Sequence, residues 1–297
     1  MAPNSNKYLR NDTGLAYLFN SPLIIITLIF VFIPVVGTLV TGFYRDVTFM
    51  PNKFLGLANY ERLFEDIHFW QSIQFTVLFV TVSVMFELFF GMIFALILNE
   101  TFPGRGILMI AILIPWAIPN AISARIWELI YNFEYGIFNF LVIHSGLSAA
   151  PVNWLGSPIS AFFSIVISDV WKTTPFVTVI LLAGLSTIPK QLYEQAMIDG
   201  TNILQRFSKI TLPLLKPVIV VALLFRTIDA VRIFDLIYVL TGGGPGGSTT
   251  SISLYAFKYY LNGDFGYGSA ISVIVFLVAS GLAILYLKVG KFTEMIK

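Results

Sequence analysis

The chain has 297 residues, 57% of them apolar and only 11% charged, with a net charge of +2. Soluble proteins carry about 25% charged residues, so the composition marks an integral membrane protein, and so small a net charge excludes a nucleic-acid partner. There is no cysteine, which excludes disulfides, thiolate metal sites and thiol catalysis.

A helix needs roughly 20 mostly apolar residues to cross a bilayer, and six stretches qualify. The first, residues 22–43, is too long for a signal-peptide core, and no small-x-small cleavage site follows it. Residues 46–72 carry Glu61, Glu65 and Asp66 among aromatics and predict a short interfacial helix. The second span, 73–98, holds one ionisable residue, Glu87, which reads equally as a buried hydrogen-bonded carboxyl or as a pathway residue. The third span is 107–130, with Arg125 and Glu128 near its end; the loop 132–158 after it has no Lys or Arg. The fourth, 159–182, carries Asp169 and Lys172. The fifth, 214–240, carries Arg226, Asp229, Arg232 and Asp235. A glycine-rich external loop, "TGGGPGGSTT", precedes the sixth span, 270–287, and reads as flexible or re-entrant. No internal repeat and no appended soluble domain stand out.

Charges at membrane depth are costly, and function is the default explanation for them. Here they fall three apart with opposite signs, so Arg125 with Glu128, Asp169 with Lys172, and the row from Arg226 to Asp235 are expected to neutralise one another locally. A row at this spacing rotates about 60° backwards per step, so Arg226 and Asp235 face opposite sides. Arg125, Glu128 and Asp235 sit near span ends, where helix staples are an equal explanation. Lys172, Arg226 and Asp229 predict a polar cavity inside the bundle. Their neighbours Thr173, Thr174, Phe176 and Thr227 suit a polyhydroxylated ligand. Ser123, Lys172, Thr173, Phe176, Arg226 and Asp229 are the candidate pathway residues. His68 and His144 stand apart and read as ordinary loop histidines, since a metal site needs three or four converging ligands.

Between the fourth and fifth spans runs "LSTIPKQLYEQAMIDGTNI". Ser186 or Thr187 is expected to cap a helix with Pro189 in its first turn. Ile188, Leu192, Ala196 and Met197 share one face. Gly200 stands where a left-handed cap is wanted. Thr201 or Asn202 then caps a second amphipathic helix, with Ile203, Leu204, Phe207 and Ile210 on its apolar side, and Pro213 is expected to end it. A helix lying on lipid would be rich in Lys and Arg along its polar face. This stretch has acids in its first half and bases only in its second, which favours docking to a cytoplasmic protein.

Lys and Arg in the loops set orientation. The side that holds both termini has Lys7, Arg10, Arg105, Lys190, Arg206, Lys209, Lys216, Lys288, Lys291 and Lys297, ten in all. The other side has Arg45, Lys53, Arg62 and Lys258. Both termini and the polar stretch are therefore expected in the cytoplasm.

Enzyme signatures are missing. Gly242 and Gly247 have phosphate-loop spacing, but Ser248 stands where the lysine is required. There is no HExxH, no GxSxG and no dinucleotide fingerprint.

The order Glu194, Gln195, Ala196, then Gly200, then nine residues to Ile210, Leu212 and Pro213 resembles the EAA loop of ABC importer permeases. Gln195 stands where alanine is usual. "FDLIYVLTGGGP" with "FGYGSAISV", and more weakly "IPWAIPNAISARIW", resembles the first of the two permease subunits of carbohydrate importers of the maltose, lactose and glycerol-phosphate type. The resemblance covers most of the chain from about Ile73 onward. It implies an all-α integral membrane fold, the six-helix transmembrane domain of a type I ABC importer with a cytoplasmic coupling helix, in a prokaryotic inner membrane. Residues 1–21 would be a cytoplasmic segment, 22–287 the permease domain with its coupling loop at 186–213, and 288–297 a cytoplasmic tail. A second permease, two ATPase subunits and an extracytoplasmic solute-binding protein would be its partners, besides membrane lipid. ATP and Mg would sit on the ATPases, with no cofactor in this chain and no enzymatic activity of its own. Glu194, Gln195, Ala196, Asp199, Gly200 and Pro213 would then carry coupling to the ATPase, and the pathway would carry a sugar, polyol or sugar phosphate. The competing expectations are an ion-driven secondary transporter using Asp169, Asp229 or Glu87, and a membrane enzyme.

Overall fold

A computed structural model describes residues 5–290, with side chains from Leu15 onward. The described residues are mostly helical. In order, the helices are α1 (Ser5–Thr27), α2 (Ile33–Thr41), α3 (Ala58–Glu65), α4 (Ile67–Asn99), α5 (Arg105–Ala117), α6 (Asn120–Ile130), α7 (Ile137–His144), α8 (Pro158–Ser186), α9 (Lys190–Ile198), α10 (Ile203–Arg206), α11 (Leu212–Val231), α12 (Asp235–Leu240), α13 (Ile252–Leu261) and α14 (Phe265–Val289). The only strands among the described residues are β1 (Tyr44–Arg45) and β2 (Lys53–Phe54), an antiparallel pair with Tyr44 opposite Phe54.

Helix α1 starts well before the expected boundary at residue 22 and runs through a π-helical turn, Leu28–Phe32, into α2. Most of its side chains from Leu15 on face outward, and α2 packs on α14. Lys291 and Lys297, counted toward the orientation, lie outside the described residues with most of the tail 288–297, and the side chains of Lys7 and Arg10 are likewise not described.

Four described helices are long and apolar enough to cross a membrane by themselves, and a bent pair would make a fifth. That pair corrects the expected third span. Its two halves, α5 and α6, meet at 98°. Pro119 is the cause. It leaves Ile118 extended at φ −74, ψ 132, and the helix cannot run through. The expected fifth span is also not one helix: α11 stops at Val231, and α12 is a separate short element. At twenty residues α11 is about 30 Å long, enough to span, yet it carries Lys216, Arg226 and Asp229.

Helices α4, α8 and α11 form the centre. Small residues let them approach, as membrane helix packing requires. A Cβ at Gly91 would lie 2.7 Å from Val177, and one at Gly184 would lie 2.7 Å from Leu215. Three apolar clusters follow the bundle from end to end. Phe79, Trp127, Ile165 and Ile237 fill the middle. Ala95, Leu181, Leu185 and Leu215 close the end beside α9. Leu63, Phe69, Tyr255, Tyr267 and Ile271 close the opposite end.

The opposite end is stitched by polar contacts. The short helix expected in 46–72 is α3, and Asn59 ties it to the carbonyls of Gly42 and Tyr44 at 3.0 and 2.9 Å. The Phe265 N–H donates to the Asp46 carbonyl, which joins the loop after α2 to the start of α14. In the loop 132–158, Asn139 accepts from the Val152 N–H and the Trp154 indole, and donates to the carbonyls of Phe133 and Val152. The glycine-rich loop, expected to be flexible or re-entrant, is a compact set of hydrogen-bonded turns. Thr249 and Thr250 are buried beneath it, holding the carbonyls of Gly244 and Gly243.

Asp66 joins three of these elements. It caps α4 through the His68 N–H at 2.9 Å and accepts from the hydroxyls of Tyr255 and, at 2.9 Å, Tyr267. Burial opposes its ionisation, but those two hydroxyls and the backbone N–H groups of His68 and Phe69 outweigh burial and lower its pKa. Burial, with the carboxylate alongside, pushes the Tyr255 hydroxyl far up, so it stays a donor. A lowered carboxylate pKa stabilises the fold above the unfolded value near 4 and stops doing so as pH falls through the folded value. Asp66→Ala is expected to melt at lower temperature in detergent at pH 7, with about 1 kcal/mol from the lost cap alone. The gap between variant and parent should close on acidification below about pH 4; a gap independent of pH would contradict the assignment.

Candidate functional site

The break between α5 and α6 opens the bundle beside α8 and α11. A cavity of about 560 Å³ lies there. Trp116, Ile118 and Asn120 line it from the break, Lys172, Thr173 and Phe176 from α8, and Phe225, Arg226, Asp229 and Arg232 from α11 and its end. A smaller adjoining cavity reaches Asp169 and Asp235.

Five of the six candidate pathway residues therefore converge: Lys172, Thr173, Phe176, Arg226 and Asp229. Ser123 does not. It is fully buried on α6, a helix that packs on α12, and its hydroxyl has no partner. Thr174 and Thr227 also turn away. Thr174 lines an apolar groove between α4, α5 and α8, and Thr227 meets the Tyr286 hydroxyl at 3.0 Å.

Arg226 is the hub. Its Nε and Nη2 make a two-pronged ion pair with Glu87, at 2.5 and 2.8 Å. Nη2 also reaches Asp169 at 3.3 Å, and Nη1 reaches Asp229 at 2.7 Å. Glu87 is wholly buried and the Arg226 side chain is 4% exposed. Three helices, α4, α8 and α11, thus meet through one guanidinium. Asp229 continues the chain outward to Arg232 at 3.8 Å, and these two are the exposed members, 63% and 61%.

This changes the expected pairing. Asp169 and Lys172 are three residues apart on one helix, yet Asp169 turns to Arg226 instead. Lys172 donates to the carbonyls of Pro115, at 3.5 Å, and Ile118. They lie where α5 ends, that of Pro115 also taking the Ile118 N–H, and a lysine at a helix C-terminus suits them electrostatically. Arg125 and Glu128 do pair, at 2.5 Å, on an exposed helix face away from the cavity.

Aromatic faces form the apolar wall. Trp116 and Phe176 lie 5.9 Å apart between ring centres, and Phe176 and Phe225 lie 6.2 Å apart. Trp116, Asn120 and Phe225 were not among the candidates. The spacing of Pro115 and Pro119 inside an apolar run was the available signal for the first two.

The second functional element links the same two helices. After α8, Ser186 and Thr187 do not cap α9; their hydroxyls donate back to the carbonyls of Ala183 and Gly184 and finish α8. Pro189 is the N-cap of α9, with no side-chain bond. The C-terminus of α9 is as expected. Gly200 has φ +76, its N–H donates to the Met197 carbonyl, and the Thr201 N–H donates to the Ala196 carbonyl. Asn202 then caps α10, exchanging bonds with Gln205 at 2.8 and 2.9 Å.

Pro213 does not end this second helix. Phe207–Thr211 forms a π-helical turn that runs directly into α11, with Pro213 in the first turn of α11. The wider turn gives room where the proline ring would otherwise meet a carbonyl one turn back. The corner is thereby joined rigidly to the cavity helix. The Tyr193 hydroxyl meets Thr211 at 3.0 Å and braces α9 against it.

The outer side of the corner is apolar and bare. Met197 is 51% exposed, Ile198 86%, Ile203 75% and Leu204 77%. Glu194, Gln195 and Asp199 are also exposed, and no ion pair among the described residues engages either acid. A patch of this kind on a polar rim marks an interaction site. At the position where the motif has alanine, the Gln195 side chain is exposed and meets no steric bar.

Similarity to known proteins agrees with this geometry. Residues 87–290 match the family described as "Binding-protein-dependent transport system inner membrane component". The chain is 57% identical over 289 residues to the trehalose/maltose transport system permease protein MalF of Thermococcus litoralis, covering 97% of each. Among solved structures it is similar to a bacterial ABC transporter involved in the import of the acidic polysaccharide alginate, with a TM-score of 0.83 at 25% identity, over 96% of this chain and 97% of that one. The alginate transporter in complex with an alginate pentasaccharide-bound periplasmic protein gives a TM-score of 0.81 at 25% identity, over 94% of both chains.

A buried ion pair that loses one partner costs about 3–5 kcal/mol, because the remaining charge is stranded. Arg226→Met strands Glu87 completely, whereas Glu87→Leu leaves Arg226 with Asp169 and Asp229. Thermal unfolding in detergent should therefore rank Arg226→Met below Glu87→Leu. The double variant should cost less than the sum of the two singles. Strict additivity would show that the pair does not act as a unit.

Proposed function

The chain belongs to the family of binding-protein-dependent transport system inner membrane components, and from that membership we propose that it is the sugar-translocating permease subunit of an ATP-driven importer. The carrying observation is that α8 and α11, which line the polar and aromatic cavity, are also the two helices joined by the exposed Gly200 corner. The second helix of the corner runs into α11 without a break, and α9 joins α8 through three residues, 187–189.

In this scheme two ATPase subunits bind beneath the membrane and hold the ATP and Mg. One of them receives the corner, with Met197, Ile198, Ile203 and Leu204 as the apolar contact and Glu194, Gln195, Ala196 and Asp199 around it. Gly200 sets the bend and Pro213 marks the stiff entry into α11. A second permease completes the pathway, and a solute-binding protein delivers the sugar from outside. Both termini face the cytoplasm, as the lysine and arginine bias supports. Hydrolysis belongs to the ATPases, so this chain is a transport subunit of the membrane and not an enzyme.

The cavity's chemistry suits a sugar. Ring faces on Trp116, Phe176 and Phe225 supply apolar stacking surfaces, and Asn120, Thr173 and Asp229 supply polar groups at one side. The name of the Thermococcus litoralis relative makes trehalose and maltose the sugars to test first. Glu87 and Asp169 are held by Arg226 rather than standing free, which weighs against an ion-driven transporter that uses them as coupling carboxyls.

Gly200→Pro tests the coupling. Proline holds φ near −65°, whereas this position has φ +76. The variant is expected to insert in the membrane normally and to lose ATP-driven sugar uptake in proteoliposomes containing the complete complex. Sugar-stimulated ATP hydrolysis should fall with it. Uptake by the parent complex on an ion gradient alone, without ATP, would contradict the importer.

A further inference from the structure

Two of the three cations around the cavity, Lys172 and Arg226, are already committed, and the exposed third, Arg232, faces Asp229 at 3.8 Å. Lys172 is spent on the carbonyls of Pro115 and Ile118. An arginine has five N–H donors, and Arg226 directs four contacts at carboxylates, two to Glu87 and one each to Asp169 and Asp229. Glu87 and Asp169 hold it from behind, on α4 and α8. Of these three carboxylates, only Asp229 lines the larger cavity.

Asp229 does this with both oxygens. Oδ2 takes Arg226 at 2.7 Å, and Oδ1 faces Arg232 at 3.8 Å. The cluster contains three cations, Lys172, Arg226 and Arg232, and three carboxylates, Glu87, Asp169 and Asp229. With Asp235 on the adjoining cavity it has no excess of positive charge, and what it shows to the larger cavity between its two arginines is a carboxylate. A hydroxyl can donate to that carboxylate. An anion meets it as a like charge.

We propose that Asp229 is the specificity-determining residue of the cavity, a charge screen over Arg226 that admits neutral sugars and turns away anionic ones. This rests on the cavity being the sugar site, as proposed above. Removing the carboxylate while keeping the side chain's shape takes one negative charge from the larger cavity and uncovers Arg226 Nη1. The pathway then gains a place for a carboxylate or sulfonate.

The test compares matched ligands on the complete permease–ATPase complex in detergent, without the binding protein, so that no other component selects the ligand first. The probes are maltose and the same disaccharide oxidised to a carboxylate at one 6-hydroxymethyl group, with binding read by saturation-transfer NMR and titrated for affinity. The parent is expected to prefer the neutral sugar by about tenfold or more, the scale of one partly screened charge contact. Asp229→Asn should move that ratio toward or past unity, and Asp229→Glu should restore it. The exposed position of Asp229 makes both variants tolerable to the fold. An equal ratio in parent and Asp229→Asn, with maltose still bound, overturns the charge screen and leaves the sugar site standing. Parent complex that binds both probes equally also overturns it. Absence of any binding to the parent overturns the sugar site and the screen together.

Discussion

One guanidinium that cannot be left unpaired organises this molecule. Arg226 lies within the bundle, where stranding a charge costs several kcal/mol. Glu87 on α4, Asp169 on α8 and Asp229 on α11 all converge on it. These three helices pack against one another, with Gly91 and Gly184 allowing the approach. Position and charge support each other: the close packing brings the carboxylates within reach, and the ion cluster fixes the helices' rotation about their axes.

The cavity exists because a second constraint opposes this packing. Pro119 breaks the third apolar stretch, and α6 leaves at 98° instead of filling the space beside α8. The carbonyls of Pro115 and Ile118 at the break take Lys172, so the opening is edged by satisfied polar groups. Below it, α8 and α11 are joined through α9, the Gly200 corner and a π-helical turn that passes Pro213 without interruption. The same two helices therefore carry the ion cluster, the cavity wall and the Gly200 corner. In the proposed importer these three features lie in mechanical series.

Much of this was legible in the sequence, and the exceptions have physical causes. The run from Glu194 to Pro213 announced the corner, because a left-handed turn needs glycine and Gly200 supplies it. The convergence of Lys172, Thr173, Phe176, Arg226 and Asp229 followed from polarity at membrane depth. Partnering was less legible. Spacing along one helix suggested Asp169 for Lys172, but residues far apart in the chain decided otherwise: Glu87 and Arg226 are 139 positions apart, and no local pattern links them. Prolines were the other difficulty. Pro119 breaks its helix, Pro175 and Pro217 sit inside theirs, and Pro213 starts one. The outcome depends on whether a neighbouring turn can widen or a freed carbonyl can find a donor, and both are tertiary facts.

The chain lacks cysteine, so paired labels can be introduced without interference. The most direct test places spin labels at Ala117 and Ile228, on opposite sides of the cavity, in the complete complex, and follows their separation by pulsed electron resonance as nucleotide is bound and hydrolysed. If motion at the Gly200 corner reaches the cavity through α8 and α11, the separation shifts with nucleotide. A distribution that stays the same while ATP is being hydrolysed would contradict the mechanical link between docking corner and cavity.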